Sequence, residues 1–261
     1  MGAARAAPHA GATRAAGRPT RAVWSRCDWL LDLVAPRRCL GCNAVGSSRW
    51  CSICGPPRAL TPGQLLYGVP LFALGAYEGS LARAIRRLKY DPCPALARPL
   101  ALELAAVLPR AGFGPGSVFA PVPLHPHRLA ERGFNQAALV ASSLASALGA
   151  DSRPRLLQRL RETGPQAELG KRARADNVEG AFATAACRAE GRQRARKSRP
   201  AEGRQSAPNS PAAGPARVVI FDDVVTTGAT AHACIRVLET LGANVVAIVA
   251  LARTSGRFRI S

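Results

Sequence analysis

The sequence has little lysine, little acid and no long apolar run. Only three of its 36 basic residues are lysines, and 16 acidic residues oppose them, which leaves a formal net charge of +20. No stretch approaches the ~18–20 consecutive apolar residues that cross a bilayer, so we expect no membrane span. Hydrophobic residues still make up 48% of the 261 residues, which excludes a chain that is disordered throughout. The length predicts one domain of ordinary size plus something small.

The excess of arginine over lysine suggests nucleic-acid binding, but its location and origin weaken that interpretation. Codon bias in a GC-rich genome produces the same skew, together with the abundant alanine, glycine and proline. Residues 1–38 carry a net +5 and residues 183–217 a net +6, in stretches that lack hydrophobic periodicity. We therefore predict a disordered basic arm at 1–36 and a disordered basic insertion at 185–216. The remaining net charge of +9 is moderate.

The start of the chain has no apolar h-region of the kind that a secretory signal needs. The first strongly apolar run, WLLDLV, is interrupted by Asp32. A cytoplasmic location in a reducing compartment is therefore the expectation. The Arg-rich, acid-free start also resembles an organelle transit peptide, which stays open as an alternative.

Four of the eight cysteines are concentrated in two CxxC pairs, whereas the others are scattered. The pairs are Cys39/Cys42 and Cys51/Cys54, separated by eight residues. Four thiolates from two tight turns match the all-sulfur tetrahedral site of a structural Zn²⁺. The short spacer predicts a compact four-cysteine knuckle at 37–57; disulfides or an iron–sulfur centre are the alternatives.

Alternating apolar runs and helical patterns predict an α/β domain over residues 68–253. Strands are predicted at 71–77, 117–124, 216–225 and 244–252. Helices are predicted at 81–90, 94–108, 135–149 and 227–242, with Ser80 as a cap for the first. Because the strands are apolar on both faces, we expect a parallel sheet covered by helices.

The most informative segment is Val218–Thr230, VVIFDDVVTTGAT. It predicts a buried strand that carries Asp222 and Asp223 to the edge where open α/β sheets bind ligands. Paired carboxylates there suit ribose hydroxyls or a hard cation. Gly228 permits close approach of the backbone to a ligand, and a helix start favours an anion. No GKS or GKT follows the glycine, so this is not a P-loop.

This segment resembles the phosphoribosyl-pyrophosphate (PRPP) signature of type I phosphoribosyltransferases. The resemblance implies that Asp222 and Asp223 hold the ribose hydroxyls and that Mg²⁺ arrives with the pyrophosphate. It further implies that the loop after the strand wraps the 5-phosphate; that loop comprises Thr226, Thr227, Gly228, Ala229 and Thr230. Electrostatics and positioning would carry catalysis, and no protein nucleophile is evident.

Three further segments narrow the resemblance to the ComF family, which comprises competence protein F and GntX relatives. They are PVPLHPHRLAERGFNQ at 121–136, the polar loop at 161–182, and YEGSLARAIRRLKYD, which places Lys89 and Tyr90 at a helix end. The family is described as type I phosphoribosyltransferase-like with an N-terminal zinc ribbon, and the resemblance covers roughly 36–253 apart from the insertion.

The resemblance also implies roles for residues outside the signature. Arg128, Arg132 and Gln136 would join the PRPP site, with Arg132 among the catalytic residues beside the acid pair. Arginine forks at a strand end suit pyrophosphate oxygens. The 161–182 loop would be the flexible hood, which contributes Arg174 to PRPP binding.

The leading hypothesis is a ComF-like protein that binds PRPP and Mg²⁺, with phosphoribosyl transfer as the implied activity. Its context by resemblance is DNA uptake and natural competence, or nucleotide metabolism. The alternative is a non-catalytic accessory protein that binds nucleic acid and retains the fold. Single-stranded DNA or the competence machinery would then be its partner, contacted by arginines around the knuckle and by Trp50. No pocket for an acceptor base is evident.

Overall fold

The computed structural model describes residues 37–46, 48–58, 64–91, 93–109, 112–162, 180–184 and 217–254. The predicted basic arm, the predicted basic insertion and the greater part of the hood loop lie outside these ranges. Their predicted disorder is therefore a matter of sequence alone.

Eight strands and five helices make up the described part of the chain. The strands are β1 (Gln64–Leu66), β2 (Val69–Ala76), β3 (Ser117–Pro121), β4 (Asp151–Ser152), β5 (Leu157–Arg159), β6 (Phe182–Thr184), β7 (Arg217–Val225) and β8 (Asn244–Arg253). The helices are α1 (Gly79–Tyr90), α2 (Ala97–Val107), α3 (Pro126–Arg132), α4 (Gln136–Leu148) and α5 (Ala229–Glu239). A 3₁₀ turn, Pro94–Leu96, leads into α2.

The strands form one six-stranded sheet with the order β1-β2-β8-β7-β3-β4, plus a separate antiparallel pair, β5-β6. Within the large sheet only β1 is antiparallel to its neighbour, and the other pairings are parallel. Its four central strands are those that the apolar runs predict, with ends shifted by a few residues. The predicted α/β class, a mostly parallel sheet with flanking helices, is confirmed.

Successive residues of β7 point to opposite faces of the sheet and so contribute to two separate cores. Val219 and Phe221 pack in a core with apolar residues of α1, α2 and α4. Val218 and Ile220 pack in a second core with residues of α5, β5 and β6. Each fully buried side chain of this size contributes roughly 1.5–3 kcal/mol. Both faces of the strand are therefore covered, which explains its continuous apolar run.

The helix starts follow the predicted capping rules in one case and depart from them in another. Asn135 caps α4 by accepting hydrogen bonds from the backbone N–H groups of Ala137 and Ala138. The predicted cap of α1 is wrong, because Glu78 takes the N-cap position and Ser80 lies inside the first turn. There the Ser80 hydroxyl is buried and donates to the carbonyl oxygen of Gly55 at 3.5 Å.

Hydropathy and helix length bear on the membrane expectation. Among the residues that the structure describes, no helix is both long and apolar enough to cross a bilayer.

Candidate functional site

A cleft of about 340 Å³ opens beyond the carboxyl ends of β3 and β7. This is the edge at which open parallel sheets present ligands to their loops. Side chains from α1, α3, α4, β5, β7 and the loop after β7 contribute to its lining. Its charged and hydroxyl-bearing lining residues include Lys89, Arg128, Arg132, Arg159, Glu162, Asp222, Asp223, Thr226 and Thr230.

Asp223 is held as an anion by side chains from two helices. The Nζ of Lys89, on α1, lies 2.9 Å from Asp223 Oδ2, and the Nε2 of Gln136, on α4, donates to the same oxygen at 2.7 Å. Burial alone would raise the pKa of Asp223, but Lys89 and these hydrogen bonds outweigh it and lower the pKa. The carboxylate of Asp223 is thus already engaged within the fold.

Asp222 is in a different state from its neighbour. Its side chain is half-buried, and its Oδ1 accepts a hydrogen bond from the backbone N–H of Asp223 at 2.8 Å. Burial, together with the negative charge of Asp223, raises the pKa of Asp222 to about 7, although Lys89 and Arg159 oppose the shift. The Asp222 carboxyl therefore titrates much closer to neutral pH than an ordinary aspartate does.

The loop after β7 brings hydroxyl groups to the cleft, and its glycine lies close to Leu66. Thr226 and Thr230 line the cleft, and Gly228 is the N-cap of α5 with a φ of 80°. A Cβ at Gly228 would lie 2.6 Å from Cδ2 of Leu66. A side chain at position 228 would therefore clash with Leu66 of β1, a contact that the sequence does not indicate, and the expected approach to a ligand stays a prediction.

Thr227 and Ala229 complete this loop. The backbone N–H of Ala229 donates to the Thr227 hydroxyl oxygen at 3.4 Å, and Ala229 itself is buried in the second core. The 11-residue α5 begins here, so the positive end of its dipole lies at the loop.

Arg128 and Arg132 of the 121–136 segment reach the cleft from α3. The Arg132 guanidinium lies over the ring of Tyr90, 5.2 Å from its centre, and this contact orients it. The Nε of Arg128 lies 3.7 Å from a carboxylate oxygen of Glu162. Both side chains line the cleft, whereas Arg174 lies outside the described residues.

The cleft also contains residues to which the sequence assigns no role. Arg159 enters from β5, with its guanidinium 5.5 Å from the centre of the Phe182 ring, and burial lowers its pKa. No motif marks Arg159, so sequence reasoning had nothing by which to find it. Lys89 carried a signal, because it is one of only three lysines and ends an amphipathic helix.

The three histidines that the structure describes are structural or lie at the rim of the cleft. His125 is the N-cap of α3, accepts a hydrogen bond from the His127 backbone N–H, and lines the cleft. Pro126 begins this helix, so His127 lies in its first turn. His232, on α5, stacks on Tyr67 with ring centres 4.0 Å apart.

The two CxxC pairs converge on a single candidate metal centre. The Sγ atoms of Cys39, Cys42, Cys51 and Cys54 all lie within 4.8 Å of one another. Sulfur atoms at the corners of a tetrahedral zinc site, with Zn–S near 2.3 Å, are about 3.8 Å apart. The distance between the Sγ atoms of Cys42 and Cys51 is 3.7 Å. The donor set and its spacing therefore fit a zinc ion.

Each CxxC pair lies on the same kind of turn. In the first turn the Asn43 N–H donates to the Cys39 carbonyl at 2.9 Å, and in the second the Gly55 N–H donates to the Cys51 carbonyl at 2.9 Å. Asn43 and Gly55 both adopt positive φ, at 68° and 62°. Two matching tight turns present the sulfur atoms to a common centre.

The knuckle is docked on α2 by its tryptophan. Trp50 is only 8% exposed, and its indole N–H donates to Glu103 Oε2 at 3.1 Å. The adjacent Arg49 forms an ion pair with Glu103 Oε1 at 2.8 Å. The suggestion that Trp50 contacts nucleic acid is corrected, because its ring is buried against the protein.

Comparison with known proteins gives a consistent set of relatives, although no family model matches the chain. The DNA utilization proteins YhgH of Salmonella typhimurium and Escherichia coli K12 are each 30% identical over 215 residues, which cover 78% of this chain and 84% of the relative. Competence protein F of Haemophilus influenzae is 27% identical over 239 residues, which cover 87% and 95%.

A solved structure, TT1426 from Thermus thermophilus, aligns with a TM-score of 0.31 and 19% identity over 63% of this chain and 86% of that one. That likeness is too weak to define the fold, which rests on the sheet order itself. The sequence relatives are decisive, because their similarity extends over most of both chains. The chain belongs to the ComF family.

Proposed function

We propose that the cleft binds a phosphoribosyl ligand, PRPP with Mg²⁺, and that the protein uses it in DNA utilization. The observation that carries the proposal is a buried acceptor, Gln136 Oε1, close to the half-buried carboxyl of Asp222 in a cleft rich in cationic side chains. Gln136 Oε1 is buried and receives no hydrogen bond from the described residues, and burial raises the pKa of Asp222 to about 7. A buried acceptor without a donor costs about 1–3 kcal/mol, which a ligand hydroxyl recovers.

A ribose carries hydroxyl groups that can donate to Gln136 Oε1 and to the carboxylate of Asp222. The 5-phosphate fits the loop after β7, where Thr226 and Thr230 line the cleft at the positive end of α5. Arg128 and Arg132 then lie on the side that suits a pyrophosphate, whose oxygens match the guanidinium fork. Mg²⁺ arrives with the pyrophosphate and supplies charge neutralisation.

Lys89 and Asp223 reduce the negative charge of the cleft and orient Gln136. Because Lys89 compensates Asp223, the acid pair presents less negative charge to a polyanion than two free carboxylates would. Asp223 fixes the position of Gln136 through their 2.7 Å hydrogen bond, and so directs Gln136 Oε1. The chain thereby binds and orients the ligand without a nucleophile of its own.

Phosphoribosyl transfer is the activity that this arrangement would support. Departure of pyrophosphate leaves positive charge on the ribosyl carbon, and Asp222 is the carboxylate available to stabilise it. Arg128 and Arg132 would stabilise the departing pyrophosphate. The relatives are named for competence and DNA utilization, so we place the activity in the handling of DNA or nucleotides. Zinc in the knuckle has a structural role in this proposal, since four protein ligands leave no open position.

Calorimetric titration tests the proposal. PRPP is titrated into the full chain with and without Mg²⁺, and the Asp222→Asn variant is compared with Glu239→Gln, an exposed carboxylate change on α5. Asp222→Asn should weaken binding about tenfold or more, since a hydrogen bond to a charged group is lost. Glu239→Gln should bind as the native chain does.

Each contrary result has a distinct meaning. No heat of binding with the native chain would sink the PRPP proposal. Binding that Asp222→Asn leaves unchanged would place the ligand elsewhere. Ribose 5-phosphate and pyrophosphate should each compete with PRPP, because each occupies one half of the proposed site. If the protein binds single-stranded DNA but does not bind PRPP, the result would support the alternative of a non-catalytic accessory protein that binds nucleic acid.

A further inference from the structure

Helix α1 contacts the four-cysteine knuckle along one side and the cleft at its carboxyl end. Arg83 and Arg87 of this helix reach knuckle atoms, and Lys89, two residues further along, pairs with Asp223. The knuckle lies before the α/β domain in sequence, and α1 carries both its attachment points and the cleft residue Lys89. One rigid element thus joins a metal centre to a ligand site.

Arg87 makes the main attachment to the first CxxC turn. Its Nη1 donates to the carbonyl oxygens of Cys39 at 3.2 Å and Leu40 at 3.0 Å, and its Nη2 donates to Asn43 Oδ1 at 2.6 Å. Three hydrogen bonds from one guanidinium fix the helix against this turn, since the planar fork has little freedom left. The acceptors belong to the turn that carries two of the four sulfur ligands.

The second CxxC turn is attached nearer the start of α1. Arg83 Nη2 lies 3.4 Å from Cys54 Sγ, so a guanidinium faces the negative charge that four thiolates and one zinc ion would carry. The Ser80 hydroxyl donates to the Gly55 carbonyl oxygen at 3.5 Å. A Cβ at Gly41 would come within 3.1 Å of Ser80 Cβ, so the backbone of the knuckle lies directly on the helix.

The other side of α1 gives it little freedom to move independently of the cleft. Leu81, Ile85 and Leu88 are at most 2% exposed and pack in the first core. The last turn of the helix carries Lys89. The backbone of α1 fixes the start of this side chain, and Asp223 holds the ammonium group at its end. A shift of α1 relative to the sheet would change this contact first.

We propose that the metal-loaded knuckle positions Lys89 in the cleft through Arg83 and Arg87, so that metal binding and ligand binding are coupled. Arg83 and Arg87 are positioning residues in this arrangement, because they act through Lys89 and the acid pair. As far as the ligand is PRPP, the inference rests on the function proposed above. The coupling between the metal centre and Lys89 does not depend on the identity of the ligand.

The coupling has a thermodynamic consequence in both directions. Loss of the metal releases the turn whose carbonyl oxygens Arg87 holds, which frees α1 and weakens the Lys89–Asp223 contact. By linkage, whatever factor zinc contributes to ligand affinity, ligand contributes equally to zinc affinity. Typical couplings of this kind are about 5–150-fold. PRPP should accordingly strengthen the retention of zinc against a competing chelator.

Hydrogen–deuterium exchange of the full chain tests the coupling without any ligand. Zinc is removed with a chelator, and exchange is compared at residues 84–90 of α1, 222–225 of β7 and 229–239 of α5. We expect exchange to accelerate about fivefold or more at the first two segments and to stay unchanged in α5, which packs on the opposite face. Unchanged exchange at 222–225 would overturn the proposal, and so would equal acceleration in all three segments.

A pair of arginine variants gives a second measurement with the metal in place. Arg87→Ala removes the three bonds to the knuckle, whereas Arg86→Ala removes an exposed side chain that bonds only its own helix, at the Ala82 carbonyl. With zinc content confirmed as equal, Arg87→Ala should raise the dissociation constant for Mg²⁺-PRPP about fivefold or more and Arg86→Ala should leave it unchanged. Equal effects of the two changes contradict the positioning role of Arg87.

The two measurements separate the two proposals. If the native chain fails to bind PRPP while chelation still accelerates exchange at 222–225, the ligand assignment is wrong and the coupling stands. If PRPP binds but neither chelation nor Arg87→Ala affects the cleft, the coupling is wrong and the ligand assignment stands.

Discussion

The 2.9 Å contact between Lys89 Nζ and Asp223 Oδ2 gives the two adjacent carboxylates of β7 different charge states. Asp223 faces the α1 and α4 side of the sheet and is ionised, with its pKa lowered by Lys89 against the effect of burial. Asp222 lies on the opposite face of β7, and burial raises its pKa to about 7. A motif of two identical residues thus provides one fixed anion and one carboxylate that titrates near neutrality.

The raised pKa of Asp222 predicts that the free protein is less stable above neutral pH because of this side chain. A carboxyl whose folded pKa exceeds its unfolded value favours the folded state while it is protonated. That advantage declines as the pH rises from about 4 to about 7 and is absent above. Asp222→Asn, which stays neutral, should therefore stabilise the metal-loaded chain at pH 8.

Thermal unfolding at several pH values measures this effect. The Tm gain of Asp222→Asn over the native chain should be largest at pH 8 and shrink steadily toward pH 4. The same comparison for Glu239→Gln, an exposed side chain on α5, supplies the baseline. A pH-independent difference between native and Asp222→Asn protein would contradict the raised pKa.

Ligand affinity should show the opposite trend with pH. If the ribose hydroxyls donate to the carboxylate of Asp222, binding requires the ionised form, whose fraction rises from about one tenth at pH 6 to about nine tenths at pH 8. The affinity for Mg²⁺-PRPP should then increase roughly tenfold over this range. Asp222→Asn retains only the pH dependence of the ligand's own phosphates, and calorimetry at the two pH values separates the contributions. The same pH profile for both proteins would exclude Asp222 as the titrating acceptor.

Breaking the buried ion pair from either side should cost more than removing it whole. Asp223→Asn leaves the ammonium of Lys89 without its anion, and Lys89→Met leaves Asp223 without its cation. Each single change should destabilise the chain by about 3–5 kcal/mol, because a buried charge is left uncompensated. The double variant should recover a large part of this loss. Urea unfolding with zinc present gives the four free energies of the cycle.

The result that contradicts this prediction is additivity. If the double variant loses the sum of the two single losses, Lys89 and Asp223 do not interact and the contact has no energetic role. A loss confined to Lys89→Met would instead assign the stability to packing of the lysine's aliphatic stem.

The sequence predicted the sheet well, because its central strands are continuous apolar runs that only a doubly covered parallel strand accommodates. It also predicted the ligands of the candidate metal centre, because CxxC spacing places two sulfur atoms on one tight turn. It failed where a residue's role depends on a partner distant in sequence. The Gly228–Leu66 contact joins residues 162 positions apart, and the burial of Trp50 against Glu103 spans 53.

The different charge states of Asp222 and Asp223 could not be predicted from the sequence either. Asp222 and Asp223 are the same residue type in adjacent positions, and only the tertiary structure brings Lys89 and Gln136 to one of them. Arg159 belongs to a segment without a motif, yet β5 carries it into the cleft. The residue pattern therefore predicted the strand and the loop that line the cleft, but not the environment that distinguishes the two carboxylates.

Metal analysis should find one zinc ion per chain, held by the knuckle. Cys42→Ser removes one of the four sulfur donors and should abolish stable binding, because a structural zinc site requires all four ligands. Cys93→Ser changes a half-buried cysteine outside the cluster and should retain the metal. Elemental analysis after dialysis reports the stoichiometry. Iron in place of zinc, or full zinc retention by Cys42→Ser, would contradict the assignment.

Gly228→Ala should destabilise the chain for two separable reasons. The φ of 80° costs an L-residue about 1–2 kcal/mol, and the new Cβ would lie 2.6 Å from Cδ2 of Leu66. Gly242→Ala is the matched control, since Gly242 has a φ of 68° but no atom within 4 Å of the added Cβ. Urea unfolding should therefore show a larger loss for Gly228→Ala than for Gly242→Ala.

The difference between these two losses should disappear when Leu66 is shortened. Leu66→Ala removes the atoms that the Cβ would meet, so Gly228→Ala introduced into that background should cost only the conformational part, similar to Gly242→Ala. If Gly228→Ala instead leaves stability intact but weakens PRPP binding, the glycine serves the ligand after all, as the sequence alone suggested. An equal loss in both backgrounds would show that strain in the backbone, and not contact with β1, requires glycine at the start of α5.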